Sequence, residues 1–436
     1  MKSLHIKVIF YLLIIGAAAG SIGIILTILM HTIQHYAFGY GFHGEVSFRE
    51  VVEYASPLRR LIVLTGCGVL VGGAWFVIHR ICPPLVSIKQ TVDDPTREMP
   101  VKTTVVHAVL QIITVALGSP LGREVAPREM SAAFATKLSQ VFHVDTETRK
   151  LLLACASGAG LAAVYNVPLA AAIFSLETLL MRWDYRSVSA AFLCSGTAVY
   201  VVRQGLGDLV QYPLPQVAFG ESTVLFAALI GPFIAIAVII FEKSLKPFPC
   251  ISRNNPKIIV AAIISFFLIG VLSMYYPEIL GNGKAGNQLS FTDRISWQYG
   301  LGLLSTKWLA VILATAAGAY GGRITPSMML GGMIGLISAI FWNMLFPGIS
   351  VSVAVIAFVG AAIFLGLAQK MPVTAVVFLL ELSRFSPAYL FPLCVCLATS
   401  LWVYNTLQFA NLPVKSWEES QRHPYMAYIL SHIIKQ

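Results

Sequence analysis

Apolar runs follow one another along almost the whole chain, and many are short or broken by glycine or proline. A helix needs about 20 apolar residues to cross a bilayer. The run from Val8 to about Met30 is long enough. Later runs lie at about 60–81, 104–121, 125–142, 150–166, 168–182, 187–203, 222–242, 257–276, 306–320, 326–346, 350–369, 372–383 and 387–410. Gly118-Ser119-Pro120, Asn166-Val167-Pro168, Thr325-Pro326 and Met371-Pro372 interrupt them. A helix that breaks at membrane depth frees backbone groups that must find partners. Transporters place ion sites at such breaks.

Composition excludes the soluble alternatives. The 436 residues are 57% hydrophobic and 11% charged, against about 45–50% and about 25% in ordinary globular domains. We therefore expect an all-α integral membrane protein with on the order of ten crossings. Thirty basic residues against twenty acidic give a net charge of +10. They lie in short segments between apolar runs, where they set topology rather than bind nucleic acid. Lys2, His5 and Lys7 precede the first run, which reads as a retained helix with its basic end inside the cell. The seven cysteines form no CxxC pair and read as small hydrophobes. No linker divides the chain, so residues 1–436 are expected to form one transmembrane domain. The tail, 411–436, is too short for a regulatory domain. A multi-pass protein of a prokaryotic inner membrane is the expected setting.

The chain repeats itself weakly. Leu121-Gly122-Arg123-Glu124-Val125-Ala126-Pro127 resembles Gly321-Gly322-Arg323-Ile324-Thr325-Pro326, with the Gly-Arg pairs 200 residues apart. The segment from Asn166-Val167-Pro168 to Phe174 and Glu177 resembles that from Lys370-Met371-Pro372 to Phe378 and Glu381, at an offset of 204. Two matches in order at nearly one offset point to two half-repeats, 1–215 and 216–410. An inverted repeat places a binding site between the halves at the midplane.

The segment Gly118 to Glu129 sets Arg123, Arg128, Glu124 and Glu129 between apolar runs. Ionisable groups at membrane depth are costly and face a partner or a water-filled path. Glu124 follows a Gly-Arg turn and starts the next run. A helix N-terminus attracts an anion through its N–H groups and dipole. Ionised, Glu124 can fill such a site, and protonated it can leave, which makes it a gate and a proton carrier. Equally open is a capping carboxylate paired to Arg123 or Arg128 at the surface.

These residues carry a family resemblance. Gly122-Arg123-Glu124 with Pro127 resembles the GREGP signature of CLC chloride channels and proton-coupled chloride transporters. Gly321 to Pro326 resembles that family's GxFxP motif, and Asn166 to Glu177 its N-A-P-L-A-G…F…E helix. The resemblance implies a CLC-like inverted repeat of many short and broken helices. It also implies a homodimer in the lipid bilayer, transport of chloride or a similar anion together with protons, and no cofactor. On this resemblance Glu124 matches the gating glutamate and proton acceptor. Gly122, Arg123, Ile324 and Thr325 fall at the anion site, where backbone N–H groups of Ile324 and Thr325 face the ion.

Departures are as informative. The family's GSGIP motif has no clean counterpart. Ser87, in Pro84 to Gln90, is the hydroxyl at about its place, with Lys89 beside it. Gly281-Asn282-Gly283-Lys284 reads as a solvated turn, or as a second lining of the pathway. The exchangers' inner proton-transfer glutamate is replaced by Thr178, which cannot titrate. Glu177, about 100° around the helix, reads as a structural carboxylate pairing with an arginine. The pore tyrosine matches Tyr425 loosely, with Tyr428 as alternative; an interfacial anchor is the other reading.

The resulting expectation is anion transport in exchange for protons. A passive chloride channel or a fluoride/proton antiporter of the same family is the alternative. A membrane-embedded enzyme is disfavoured: no H-E-x-x-H, G-x-S-x-G or P-loop is present.

Overall fold

The computed structural model describes residues 2–39, 47–94, 96–212, 217–246, 254–292 and 295–409. Its helices are, in chain order, α1 (Lys2–Phe38), α2 (Phe48–Tyr54), α3 (Pro57–Ile81), α4 (Ile88–Asp93), α5 (Val101–Ala116) and α6 (Val125–Val141). Next come α7 (Thr146–Tyr165), α8 (Pro168–Phe174), which runs on as a π-helical turn over Ser175–Leu180, and α9 (Tyr185–Leu206). The remainder is α10 (Glu221–Leu245), α11 (Lys257–Tyr275), α12 (Lys284–Thr292), α13 (Trp297–Ala316), α14 (Ile324–Leu345), α15 (Val353–Ala368), α16 (Pro372–Ser383) and α17 (Leu390–Phe409).

Seven helices among the described residues are long and apolar enough to cross a membrane: α1, α3, α10, α11, α13, α14 and the one ending in α17. Their outward side chains are apolar, with Phe233, Phe391 and Trp402 two-thirds exposed or more. Lipid is the solvent that tolerates such a surface. Shorter apolar helices include α5, α15 and α16. All side chains of α15 from Val355 to Leu367 are buried, so this helix sits inside the protein and is hydrophobic all round.

The breaks fall where the sequence places them. Asn166 ends α7 in the left-handed conformation, φ 60°, which asparagine tolerates better than most residues. Pro168 and Pro372 then stand at the start of α8 and α16, where a missing N–H costs nothing. Helices also form between the apolar runs. The whole of α12 and the first turns of α13, from Trp297, form in a region without apolar periodicity. Neither Phe48–Tyr54 nor Ile88–Asp93 has an apolar run, yet each forms because a serine and a Glu or Gln three residues on close a capping box.

Candidate functional site

Two Gly-Arg turns meet in the middle of the protein. Gly122 N–H donates to Gly322 O at 2.6 Å, and Gly322 N–H to Gly122 O at 2.9 Å. The pairing brings the N-termini of α6 and α14 to one point. A side chain on either glycine would collide with what lies between them. A Cβ on Gly122 would stand 2.1 Å from Glu124 Oε2, and one on Gly322 1.8 Å from Glu124 Oε1.

What lies between them is the Glu124 carboxylate, fully buried. It does not cap its own helix, α6. Oε1 accepts the N–H of Ile324 at 2.9 Å, the first residue of α14. Oε2 accepts the hydroxyl of Tyr165 at 3.1 Å. The same hydroxyl is 2.8 Å from Thr325 Oγ1. A buried carboxylate needs donors to offset its lost hydration. Here the donors are a helix N-terminus, favourable to negative charge, and a phenol. Among the described residues its ion pairs do not include Arg123 or Arg128. The surface-cap alternative therefore fails on burial and on partners.

Arg123 is placed beside the site through Tyr165. Its guanidinium lies 5.8 Å from the centre of the Tyr165 ring and donates to Val164 O at 3.4 Å. Arg128 packs 4.4 Å over the Phe174 ring and donates to Ser157 Oγ at 3.3 Å.

A second group of polar residues closes the site from α12. Asn282 Nδ2 donates to Thr325 Oγ1 and Asn287 Nδ2 to Thr325 O, both at 3.5 Å. Asn287 also donates to the Tyr212 hydroxyl at 3.2 Å. Lys284 Nζ reaches Gln211 Oε1 at 3.3 Å. The Gly281 to Lys284 segment is thus not a solvated turn but part of the wall around Thr325. Tyr212 and Asn287 carried no sequence signal, and Tyr165 only precedes the Asn166-Val167-Pro168 break. Each meets the site only through contacts 38 to 160 residues away.

Ser87 is exposed and caps α4. Its hydroxyl accepts Gln90 N–H at 3.2 Å and is 3.1 Å from Gln90 Oε1. The contacts of the described residues do not tie it to Glu124. Tyr425 and Tyr428 lie outside the described residues.

Glu177 corrects an expectation. Among the described residues it pairs with no arginine. Its carboxylate accepts Val373 N–H at 3.0 Å, Thr374 N–H at 2.8 Å and Thr374 Oγ1 at 2.6 Å, capping α16. Glu381 does the same for α8, accepting Leu169 N–H at 3.0 Å and Ala170 N–H at 2.7 Å. Thr178 sits in the π-helical turn, and its hydroxyl is buried without a partner among the described residues.

The chain is similar to known proteins over most of its length. The family model described as voltage gated chloride channel matches residues 67–405. The H(+)/Cl(-) exchange transporter ClcA of Vibrio cholerae is 25% identical over 403 residues, covering 87% of this chain and 82% of the relative. The Vibrio campbellii protein of that name is 24% identical over 402 residues, covering 87% and 82%. A slow cyanobacterial Cl−/H+ antiporter superposes with TM-score 0.78 at 18% identity, covering 92% of this chain and 95% of its own. A CLC-type fluoride/proton antiporter superposes at 0.69 and 19% identity, with the same coverage.

Proposed function

The chain belongs to the voltage-gated chloride channel (CLC) family, and from that premise we propose that it carries chloride or a similar small anion across the membrane in exchange for protons, with Glu124 as gate and proton acceptor. As a member of that family it is a multi-pass membrane transport protein and not an enzyme.

One observation carries the mechanism: the Glu124 carboxylate accepts the N–H that opens α14. A helix N-terminus that holds a carboxylate offers the same donor to a free anion. Ionised Glu124 and the anion compete for that donor. A proton on Glu124 removes the charge that holds it, and the side chain yields the donor to the anion. Anion entry and proton uptake are thereby two sides of one exchange. Ile324 supplies a backbone group, so its departure from phenylalanine changes shape but not charge. Gly122 and Gly322 keep space for the carboxylate, Tyr165 and Thr325 complete the donor set, and Arg123 fixes Tyr165 from behind. Ser87 and Tyr425 remain candidates for other points along the pathway. We read residues 1–215 and 216–410 as two halves of an inverted repeat. The Gly122–Gly322 pairing and the mutual caps of Glu177 and Glu381 support that reading. A homodimer belongs to the same proposal, and its mass in detergent is the test.

Thr178 favours a second reading, a passive channel, because it offers no acid on the inner side. Proteoliposomes separate the two. A chloride gradient should drive protons uphill in the exchanger, and a fluoride gradient should do so in a fluoride/proton antiporter. Anion flux with no proton movement under either gradient would leave the channel.

A further inference from the structure

Proton exchange needs a route from Glu124 to the inner face, and Thr178 supplies no acid for it. A row of titratable side chains outside the anion site runs in that direction. Glu129, 5% exposed, lies on α6 five residues after Glu124, about 7.5 Å further along the helix. Its Oε1 accepts the Tyr320 hydroxyl at 3.0 Å. The Tyr320 ring stands edge-on to that of His107, with centroids 4.3 Å apart. His107 is fully buried on α5. His79, on the last turn of α3, stands edge-on to His107 at 5.8 Å.

Two further observations give the row its direction and its solvent. Arg80, next to His79, is exposed, and Lys89, Arg97 and Lys102 follow it. The end of α1 meets the start of α3, where Arg59 donates to Ala37 O at 2.8 Å, so the start of α1, with Lys2 and Lys7, lies towards the face where α3 ends. This basic face is the cytoplasmic one by the positive-inside rule. Gln111, one turn beyond His107 on α5, is fully buried, and among the described residues neither amide atom has a hydrogen-bond partner. A buried amide of that kind marks a place that holds water. Arg128 lies within electrostatic reach of Glu124, Glu129, Tyr165 and Tyr320, so it offsets whichever carboxylate is ionised.

We propose that Glu129, Tyr320, His107 and His79 form the inward proton route that takes the place of a carboxylate at position 178. The inference rests on the proton-coupled reading above. A proton leaves the Glu124 carboxylic acid and, through water, is accepted by the Glu129 carboxylate. Leaving Glu129, it is taken up by the Tyr320 oxygen, which releases its own proton, through water, to a nitrogen of His107. His107 passes a proton through water to His79, and His79 releases one to the cytoplasmic water. Each step breaks one O–H or N–H bond and forms another.

The test is the proton-to-chloride ratio, read from reversal potentials of proteoliposomes containing wild type, His107→Phe, Glu129→Gln, His79→Ala or Trp75→Phe. The Trp75 ring stands 6.4 Å from that of His107 and carries no group that titrates near neutral pH. Proton flux is expected to fall at least about tenfold in the first three, as when a positioned proton-transfer group is lost, with chloride flux retained and Trp75→Phe unchanged. A wild-type ratio in His107→Phe overturns the route. Should His107→Phe also lose chloride flux, Glu129→Gln and His79→Ala decide, and a wild-type ratio in both overturns it. Loss of chloride flux in all three makes the row structural and equally contradicts the proposal. A wild-type protein with no proton coupling fails at the exchanger reading instead, a separate outcome.

Discussion

Gly122-Arg123-Glu124 and Gly322-Arg323-Ile324 are the same turn with one residue changed. Both turns open a helix, and their glycines pair with each other. Where the second turn has an isoleucine, it presents a bare N–H; where the first has a glutamate, it presents a carboxylate that takes that N–H. On the proposed reading, one turn provides an anion site and the other provides the carboxylate that occupies it. Neither turn is informative alone.

The comparison is broken most completely by restoring bulk between the turns. Gly322→Ala puts a methyl 1.8 Å from Glu124 Oε1, so the carboxylate has to leave. Proton flux should fall about 100-fold, in the range for a lost proton-transfer group, while the proton-to-chloride ratio approaches zero. An unchanged ratio in Gly322→Ala would mean that the carboxylate does not work from this position. Tyr165→Phe is gentler. It removes one donor from Oε2, and a hydrogen bond to a charged group contributes about 1.5–3 kcal/mol. Anions should displace the gate more easily, with the half-saturating chloride concentration falling at least about tenfold; an unaltered value would remove Tyr165 from the gate.

The same comparison extends to the caps. Glu177 and Glu381 hold each other's helices, but Glu177 accepts three donors and Glu381 two. Glu177→Gln should therefore lower thermal stability more than Glu381→Gln, by about 1–3 kcal/mol for the former. Thermal unfolding in detergent measures both, and equal midpoints would show that the third donor contributes nothing. The smallest effect is expected at the surface. Asp208 is held below the usual carboxylate range by the Asn166 amide and then by Arg384, which tie the end of α7 to the end of α16. A depressed folded-state value gives stability that is present above about pH 3.9 and lost as pH falls through the lower folded value. Wild type and Asp208→Asn should thus differ in melting temperature at pH 5 and converge towards pH 3. A constant gap would assign the effect to something other than the charge.

Much of this was legible in the sequence because backbone breaks carry local signatures. Gly122, Pro168, Gly322 and Pro372 announce where helices start, and Glu124 announces a charge that needs a partner. Tyr165 was not legible, because nothing near it in sequence says that its hydroxyl meets residues 41 and 160 positions away. The α12 helix was hidden for a different reason. Its buried face includes the polar Asn287 and Ser290, whose Nδ2 and Oγ donate to oxygens inside the protein, so no apolar stretch marks it. Glu177 was misjudged for want of the partner's backbone: a carboxylate in an apolar stretch asks for positive charge, and a helix N-terminus answers as well as an arginine. The π turn at Ser175–Leu180 likewise leaves no mark in the local composition.

The central claim is that the Glu124 carboxylate and the transported anion use one N–H, that of Ile324. Anomalous diffraction from crystals soaked in bromide tests it most directly, with wild type compared against Glu124→Ala. The expected result is bromide within hydrogen-bond distance of Ile324 N in the alanine variant, and the carboxylate at that place in wild type at neutral pH. Bromide absent from Ile324 N in Glu124→Ala, with the ion bound elsewhere in the same crystals, would contradict it.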